Sequence, residues 1–253
     1  MDDVVIKVME EPKLENPILV VGLPGVGNVG KLAVEHIIYE LKAKKFASLY
    51  SRNFPPQVFV NEDGTARLVS NDFYYVKNKK QNKNIILLTG DYQGLTPEGQ
   101  YDLAGATLDL VAKHGVKRVF TLGGYSTGRK TNSPRVFGAA TDKKLVAELK
   151  KFGITFKPGE PGGGIIGASG LLIGLGKLRG IEGACLMGET SGYLVDPKSS
   201  RSVLEILRDI LGIKIDVDEL DVRAKQMDKI MAQIEKMSKQ ADKPSAEDLK
   251  YIG

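Results

Sequence analysis

Residues 17–30 have the sequence PILVVGLPGVGNVG, in which a run of branched apolar residues leads into a glycine-rich turn. The apolar residues 18–21 predict a strand that is covered on both faces of a sheet. Residues 31–41 then place apolar side chains at helical spacing, which predicts a helix directly after the turn. A buried strand, a turn and a helix in this order indicate an α/β fold.

The same alternation continues through the chain. Further strands are predicted at residues 46–50, 57–60, 65–70, 73–76, 84–89, 116–122, 136–140 and 183–189, and further helices at residues 97–114, 142–152, 168–178 and 197–211. A hairpin turn is predicted at residues 61–64, and Thr96 and Gly115 are expected to start and end the helix at 97–114. We therefore predict one α/β core domain over residues 1–215, with a mostly parallel sheet flanked by helices.

The composition is that of an ordinary globular chain, with 253 residues, 42% hydrophobic and 26% charged, and a formal net charge of +5. The single cysteine, Cys185, has no partner for an intramolecular disulfide, and no Cys/His cluster has metal-ligand spacing. We therefore predict a cytoplasmic protein without a metal site.

The acidic first residues lack a signal-peptide pattern, and the apolar runs are too short to span a membrane. The charge is too mild to predict a nucleic-acid partner.

Gly25, Gly27 and Gly30 form a G-x-G-x-x-G motif between the predicted strand and helix, which is the context of a dinucleotide-binding turn. Two features oppose that function: Pro24 directly precedes the first glycine, and the acidic residue expected about 20 residues later is missing. The lysine of a phosphate-binding P-loop is missing too. The glycines therefore have two interpretations, a tight turn with close helix–sheet packing, which we favour, or an anion site.

Two further glycine-rich segments follow predicted strands. Residues 123–129, GGYSTGR, are predicted to form a loop whose backbone amides and Arg129 are suited to a phosphate or carboxylate. Residues 188–193, GETSGY, follow a third strand. Since the carboxyl ends of parallel strands meet at one edge of a sheet, we expect the three segments to face one another.

The candidates for catalysis are few. His36 and His114 lie in predicted helices, where packing roles are commoner than general-base roles. Cys185 lies in an apolar strand, which is typical of an inert thiol. Glu189 and Ser191 form only a weak acid–hydroxyl signal. We therefore predict no catalytic residue, no cofactor and no enzyme activity.

The C-terminal residues differ from the core in pattern. Residues 216–242 predict an amphipathic helical segment with a four-three seam, which contains Leu220, Met227, Met231 and Ile234. Such a helix packs either on its own domain or against another subunit, and the pattern fits both. Residues 243–253 predict a flexible tail that is either frayed or a ligand for a partner. Its apolar end contains Leu249, Tyr251, Ile252 and Gly253.

Taken together, the segments GLPGVGNVG (22–30), GGYSTGR (123–129) and GETSGYLVDPK (188–198) resemble the proteasome assembly chaperone family, in its archaeal Pba-type branch. The resemblance covers residues 17–211. It implies a nucleoside-phosphorylase-like α/β domain without an established reaction, assembled into homo-oligomers. In that context the glycine loops are structural or a vestigial anion site made of Gly25, Gly27, Gly30 and Arg129.

The resemblance also implies a partner, the α-ring of the 20S proteasome, reached by C-terminal tails that typically end in an apolar residue, a tyrosine and any residue. Here Tyr251 is third from the end and follows Lys250. The expected function is that of a non-enzymatic assembly chaperone or activator-like protein, with Leu249, Tyr251, Ile252 and Gly253 as the partner-binding residues. Two alternatives stay open: a paralogue that binds another chaperone subunit, and a nucleotide- or nucleoside-dependent enzyme that uses the glycine loops.

Overall fold

Within the residues that the computed structural model describes (3–78, 83–129, 131–156, 164–220, 222 and 224–226), eight strands form one sheet with helices on both faces. The strands are β1 (Val4–Val8), β2 (Ile18–Gly22), β3 (Lys44–Ser51), β4 (Val58–Val60), β5 (Ala66–Leu68), β6 (Asn71–Asn78), β7 (Lys83–Gly90), β8 (Arg118–Ser126), β9 (Val136–Ala140) and β10 (Glu182–Thr190). The helices are α1 (Val29–Glu40), α2 (Pro97–Lys113), α3 (Lys143–Lys150), α4 (Ala168–Leu178) and α5 (Pro197–Leu211).

The strand order in the large sheet is β1-β3-β6-β7-β2-β8-β10-β9, and β4 pairs separately with β5. The four central strands β7, β2, β8 and β10 are parallel to one another. The strands β1, β3 and β6 on one side and β9 at the other edge pair antiparallel. Because parallel neighbours require a crossover connection, parallel pairing is confined to the strands joined through helices. The predicted single α/β domain with flanking helices is confirmed.

The helix ends follow the capping signals of the sequence. The side chain of Thr96 accepts a hydrogen bond from the Gly99 N–H at 3.1 Å, and Pro97 occupies the first turn of α2. Asp142 caps α3 by accepting from the Leu145 N–H at 2.9 Å. Gly115 follows α2 with a left-handed φ of 78°. The predicted start and end of α2 are confirmed.

The sheet separates two apolar layers because side chains alternate across each strand. Val20 of β2 and Phe120 of β8 face α1 and α5, whereas Leu19 and Val119 on the same strands face α2 and α4. All four side chains are fully buried. The strand β2 is therefore covered on both faces, as its unbroken apolar run predicts.

The residues after α5 continue to pack on the layer that contains α1. Val217 and Leu220 belong to its core cluster, and Leu220 is 0% exposed. His36 of α1 donates from Nε2 to the carbonyl oxygen of Asp216, and Glu40 accepts from the Asp216 N–H at 3.2 Å. The first turn of the predicted amphipathic segment therefore packs on its own domain, beyond the predicted boundary at residue 215. Met227, Met231 and Ile234 lie outside the described residues.

Two parts of the sheet differ from the sequence-based assignment. The predicted loop at 123–129 is strand as far as Ser126, because Gly123 to Ser126 pair in register with Met187 to Thr190 of β10. The edge strand β1 was not predicted, and it pairs antiparallel with β3. Between the strands predicted at 73–76 and 84–89, residues 77 and 78 extend β6 and residue 83 begins β7.

Candidate functional site

The three glycine motifs meet at the carboxyl ends of the parallel strands, as predicted. The Asp196 N–H donates to the carbonyl oxygen of Gly27 at 2.8 Å, which joins the third motif to the first. The Thr127 N–H donates to the carbonyl oxygen of Thr190 at 2.9 Å, and this bond joins the second motif to the third. We call the face formed by residues 24–28, 125–127 and 190–194 the motif surface.

The glycines at this place allow close backbone packing. A Cβ on Gly30 would lie less than 3.0 Å from the carbonyl oxygen of Leu122 on β8, and a Cβ on Gly22 would lie as close to the backbone of Gly30. Gly27 has a left-handed φ of 62°, which residues with a side chain rarely adopt. The close approach of Gly30 to β8 supports the helix–sheet packing interpretation. Anion binding by Gly25, Gly27, Gly30 and Arg129 stays a prediction.

Side-chain hydrogen bonds fix the loops of the motif surface. The Thr190 hydroxyl donates to the carboxylate of Asp196 at 2.7 Å, and Asp196 also caps α5 by accepting from the Ser199 N–H at 3.0 Å. Gln93 donates to the carbonyl oxygen of Pro24 at 2.6 Å and accepts from the Ala168 N–H at 2.9 Å, so it links the first motif to the start of α4. These contacts hold the loops in one arrangement.

Apolar and aromatic side chains are presented on the motif surface. Val26 is 42% exposed and Tyr193 is 81% exposed, and Leu194 lies beside Tyr193 with 39% exposure. Val26 belongs to the same face, since its Cγ1 lies 3.5 Å from the place that a Cβ on Gly192 would occupy. Arg129 is exposed on the loop that follows β8. The exposed part of the motif surface therefore includes apolar and aromatic side chains beside the charged Arg129 loop.

The groups considered for catalysis have structural partners. The rings of His114 and Phe46 pack edge to face at 5.3 Å. Cys185 is fully buried, and burial raises the pKa of its thiol to about 11. Glu189 accepts from the Arg135 guanidinium at 2.9 and 3.1 Å, and these hydrogen bonds lower the pKa of the Glu189 carboxyl. Arg135 thus engages Glu189, the acid of the weak acid–hydroxyl signal.

Among the described residues, no three or more His, Cys, Asp or Glu side chains are grouped so that they could hold a metal ion. In the same part of the chain, no helix has the length and apolar character needed to cross a membrane.

Sequence reasoning missed the hydrogen bond between Thr190 and Asp196 that closes the motif surface. The signal was present, because an aspartate directly before a proline is a common helix start, and Asp196 precedes Pro197 at the start of α5. The partner-binding residues expected in the tail, Leu249, Tyr251, Ile252 and Gly253, lie outside the described residues.

The comparisons with known proteins agree with the resemblance found in the sequence. The PAC2 family model matches residues 19–235. The uncharacterized protein MJ1210 of Methanocaldococcus jannaschii is 42% identical over 253 residues, which cover 98% of this chain and 96% of that protein.

Two solved structures extend this agreement to the fold. Pyrococcus furiosus PbaB, an archaeal proteasome activator, superposes with a TM-score of 0.89 at 41% identity, covering 93% of this chain and 100% of that one. P. furiosus PbaA, an archaeal homolog of proteasome-assembly chaperone, superposes with a TM-score of 0.76 at 26% identity, covering 93% and 94%. Because the family model matches most of its length, the chain belongs to the PAC2 family, and it is a homologue of P. furiosus PbaB and PbaA.

Proposed function

We propose that this protein is a non-enzymatic assembly chaperone or activator-like protein that acts in the cytoplasm as a homo-oligomer and binds the α-ring of the 20S proteasome through its C-terminal tails. The observation that carries the proposal is the similarity to P. furiosus PbaB, an archaeal proteasome activator, at 41% identity and a TM-score of 0.89 over 93% of this chain. A likeness of this extent covers the core and its glycine motifs together.

The geometry of the core supports its role as a rigid domain that presents binding segments to a partner. The motif loops are tied to one another by protein hydrogen bonds, including those of Asp196 and Gln93. His36, Cys185 and Glu189 are engaged in packing or hydrogen bonds of their own. Such a core is suited to holding its exposed loops in fixed places.

The tail supplies the binding chemistry in this proposal. Tyr251 offers an aromatic ring with a polar tip, and Gly253 offers a terminal carboxylate, which are the groups that a pocket between subunits captures from an extended peptide. One such tail binds weakly, but several tails on one oligomer raise the overall affinity by about 10²–10⁴-fold when the sites are spanned at once. Oligomerisation and tail docking therefore belong to one mechanism.

A pull-down of purified α-rings tests the tail. The full chain is compared with a chain that lacks residues 249–253 and with the point variant Tyr251→Ala, and Lys250→Ala serves as the matched control. We expect retention of the α-ring by the full chain and by Lys250→Ala, and loss in the other two. Equal retention by the truncated and full chains would remove the tail from the mechanism.

A second candidate function is binding to another chaperone subunit of the same family. It is favoured by the position of Tyr251, third from the end rather than penultimate, and by the similarity to PbaA, an archaeal homolog of proteasome-assembly chaperone. Retention of a PbaA-type subunit, with no retention of α-rings, would favour this candidate.

A nucleotide-dependent role of the glycine loops predicts micromolar binding of a nucleotide in calorimetry, and this binding is expected to be lost in Arg129→Ala.

A further inference from the structure

A two-stranded ribbon stands apart from the main sheet. Its strands β4 and β5 pair antiparallel, with Val58 opposite Leu68, Phe59 opposite Arg67, and Val60 opposite Ala66. Because side chains alternate across a strand, Phe59 and Arg67 share one face of the ribbon. The other face, which we call the ribbon face, consists of Val58, Val60, Ala66 and Leu68.

The side of the ribbon that bears Phe59 and Arg67 is anchored to the body. The Arg67 guanidinium lies 4.6 Å from the centre of the Phe59 ring, and Phe59 packs against the core layer of α2 and α4. Arg67 also donates to both carboxylate oxygens of Asp91, at 2.7 and 3.0 Å. Asp91 in turn accepts from the Ser70 N–H at 3.0 Å. These contacts fix the orientation of the ribbon, so the ribbon face points away from its anchor.

The tip of the ribbon is an ordered turn that carries negative charge. The Asn61 N–H donates to the carbonyl oxygen of Thr65 at 2.8 Å, and Gly64 has a left-handed φ of 81°. The hydroxyl and N–H of Thr65 donate to Asp63 at 2.6 and 3.0 Å, and these bonds lower the pKa of Asp63. Asp63 and its neighbour Glu62 therefore form an acidic tip at neutral pH.

The ribbon face is apolar and open to solvent. Val58, Val60 and Leu68 are 52%, 72% and 56% exposed. Val58 and Leu68 also line a groove of about 520 Å³, which Phe54 and Pro55 line as well. Contiguous exposed apolar surface of this kind indicates an interaction site, and a two-stranded ribbon gains stability when its open face is covered.

The charges around the groove identify the occupant. Arg52 lines the groove near the base of the ribbon, and its side chain is 63% exposed although it pairs with Asp3. The acidic tip lies about 10–13 Å from the base, the length of three to four residues of strand. When two ribbon faces pack antiparallel, each acidic tip arrives at the other copy's base, where Arg52 lies. The acidic tip and the basic base therefore carry opposite charges, so the surface is complementary to itself in charge.

We infer that the ribbon face is the surface through which this chain associates with a second copy of itself. Two ribbons pack face to face about a two-fold axis, and Glu62 and Asp63 of each tip lie against Arg52 of the other copy. A two-fold contact of this kind is isologous, since the same patch serves both subunits. The inference deepens the proposed function, because it assigns a surface to the homo-oligomer on which tail avidity rests.

Size exclusion with light scattering tests the surface on the full chain. Val60→Asp places a charge at the centre of the ribbon face, so we expect the mass of the assembly to fall by at least half, towards the 27.5 kDa of one chain. The matched control is Tyr39→Asp, which alters a 71% exposed side chain on α1, the helix in the other layer. The control is expected to keep the wild-type mass. Thermal unfolding shows that both variants are folded.

Charge reversal provides a second, independent readout. Glu62→Arg is expected to weaken association about ten-fold by placing two arginines together, and adding Arg52→Glu to the same chain is expected to restore it. Restoration in the double variant requires that the two residues meet across an interface. Failure of the double variant to recover would overturn the charge pairing.

The outcomes separate this inference from the proposed function. A monomeric wild-type chain, or an unchanged mass for folded Val60→Asp, overturns the ribbon surface. If the mass of folded Val60→Asp is unchanged, the proposal that the tails retain α-rings still stands. A reduced mass together with undiminished retention of α-rings supports the ribbon surface and contradicts the avidity mechanism.

Discussion

Replacing Gly30 by alanine adds one methyl group where α1 crosses β8. The new Cβ would lie less than 3.0 Å from the carbonyl oxygen of Leu122, whereas ordinary contacts of a Cβ atom begin at 3.4 Å. The obstructing atoms belong to the backbone of a central strand, so no side chain can rotate away. Helix α1 must therefore move off the sheet, and this loosens the packing of Val29, Ala33 and Val34, which are all fully buried.

The magnitude follows from this overpacking. Extra methyl groups in a well-packed core cost about 1–3 kcal/mol, and a clash with the backbone of a central strand places Gly30→Ala near the upper end, at about 3 kcal/mol. For a chain of this size each kcal/mol lowers the melting temperature by about 2–4 °C, so we expect a decrease of about 6–12 °C.

The assay is thermal and urea unfolding of Gly30→Ala beside a matched variant, Gly174→Ala. Gly174 lies in α4, and a Cβ at this position would meet no atom within 4 Å, so alanine there is expected to be neutral or to stabilise the helix by up to about 1 kcal/mol. If Gly30→Ala melts like the wild type, close packing is not the reason for this glycine. If Gly30→Ala keeps the stability of the wild type but binds phosphate more weakly than the wild type does, the anion-site interpretation is favoured instead.

Three further predictions test other parts of the structure. Leu220→Ala is expected to lower the free energy of unfolding by about 2–5 kcal/mol in urea titrations, since this side chain is fully buried, and a change below about 0.5 kcal/mol would show that it lies outside the core. Hydrogen bonds from Arg135 lower the pKa of Glu189 from its ordinary 4.5, so they stabilise the fold above pH 4.5 and this contribution is lost as the pH falls through the folded pKa. Glu189→Gln is therefore expected to lose less unfolding free energy than the wild type between about pH 7 and pH 3, and urea unfolding at about these two pH values measures the difference. Cys185 is expected to resist alkylation at about pH 8 until the chain is unfolded, because burial raises its pKa to about 11, and rapid labelling of the native protein would contradict that burial.

Much of the fold could be predicted from local signals. The helices α4 and α5 begin and end where the sequence places them, because prolines, glycines and polar caps mark their ends. The meeting of the three glycine motifs was also predictable, since it follows from the direction of parallel strands alone. These inferences need only the periodicity of the chain and general rules of α/β topology.

Features that depend on tertiary contacts could not be predicted. Gly123 and Gly124 suggest a loop, yet they lie in β8, where the absent side chain of Gly124 leaves room for the backbone of Val26. The edge strand β1 has the apolar sequence VVIKV but is only five residues long, and its place in the sheet depends on pairing with β3, which is distant in sequence. The seam that includes Leu220 fits both a self-packed and an intersubunit helix, and only the position of α1 shows that Leu220 packs on its own core.

The hairpin turn at residues 61–64 was predicted, but the exposure of its strands was not. The segment Val58 to Val60 is apolar at every position, so it lacks the polar alternation that marks an exposed strand. Its exposure results from the anchoring of Phe59 and Arg67 to the body near Asp91, a contact between residues distant in sequence.

The attachment of the chain's first described residue has a practical consequence for recombinant work. Asp3 pairs with Arg52, and its carbonyl oxygen accepts from the Ser51 hydroxyl at 2.6 Å, so a purification tag fused ahead of Asp3 would emerge at the rim of the ribbon groove. A tag inserted in the turn after α3, where Lys151 and Gly153 are exposed, would avoid this rim, because α3 packs on β9 at the opposite edge of the sheet.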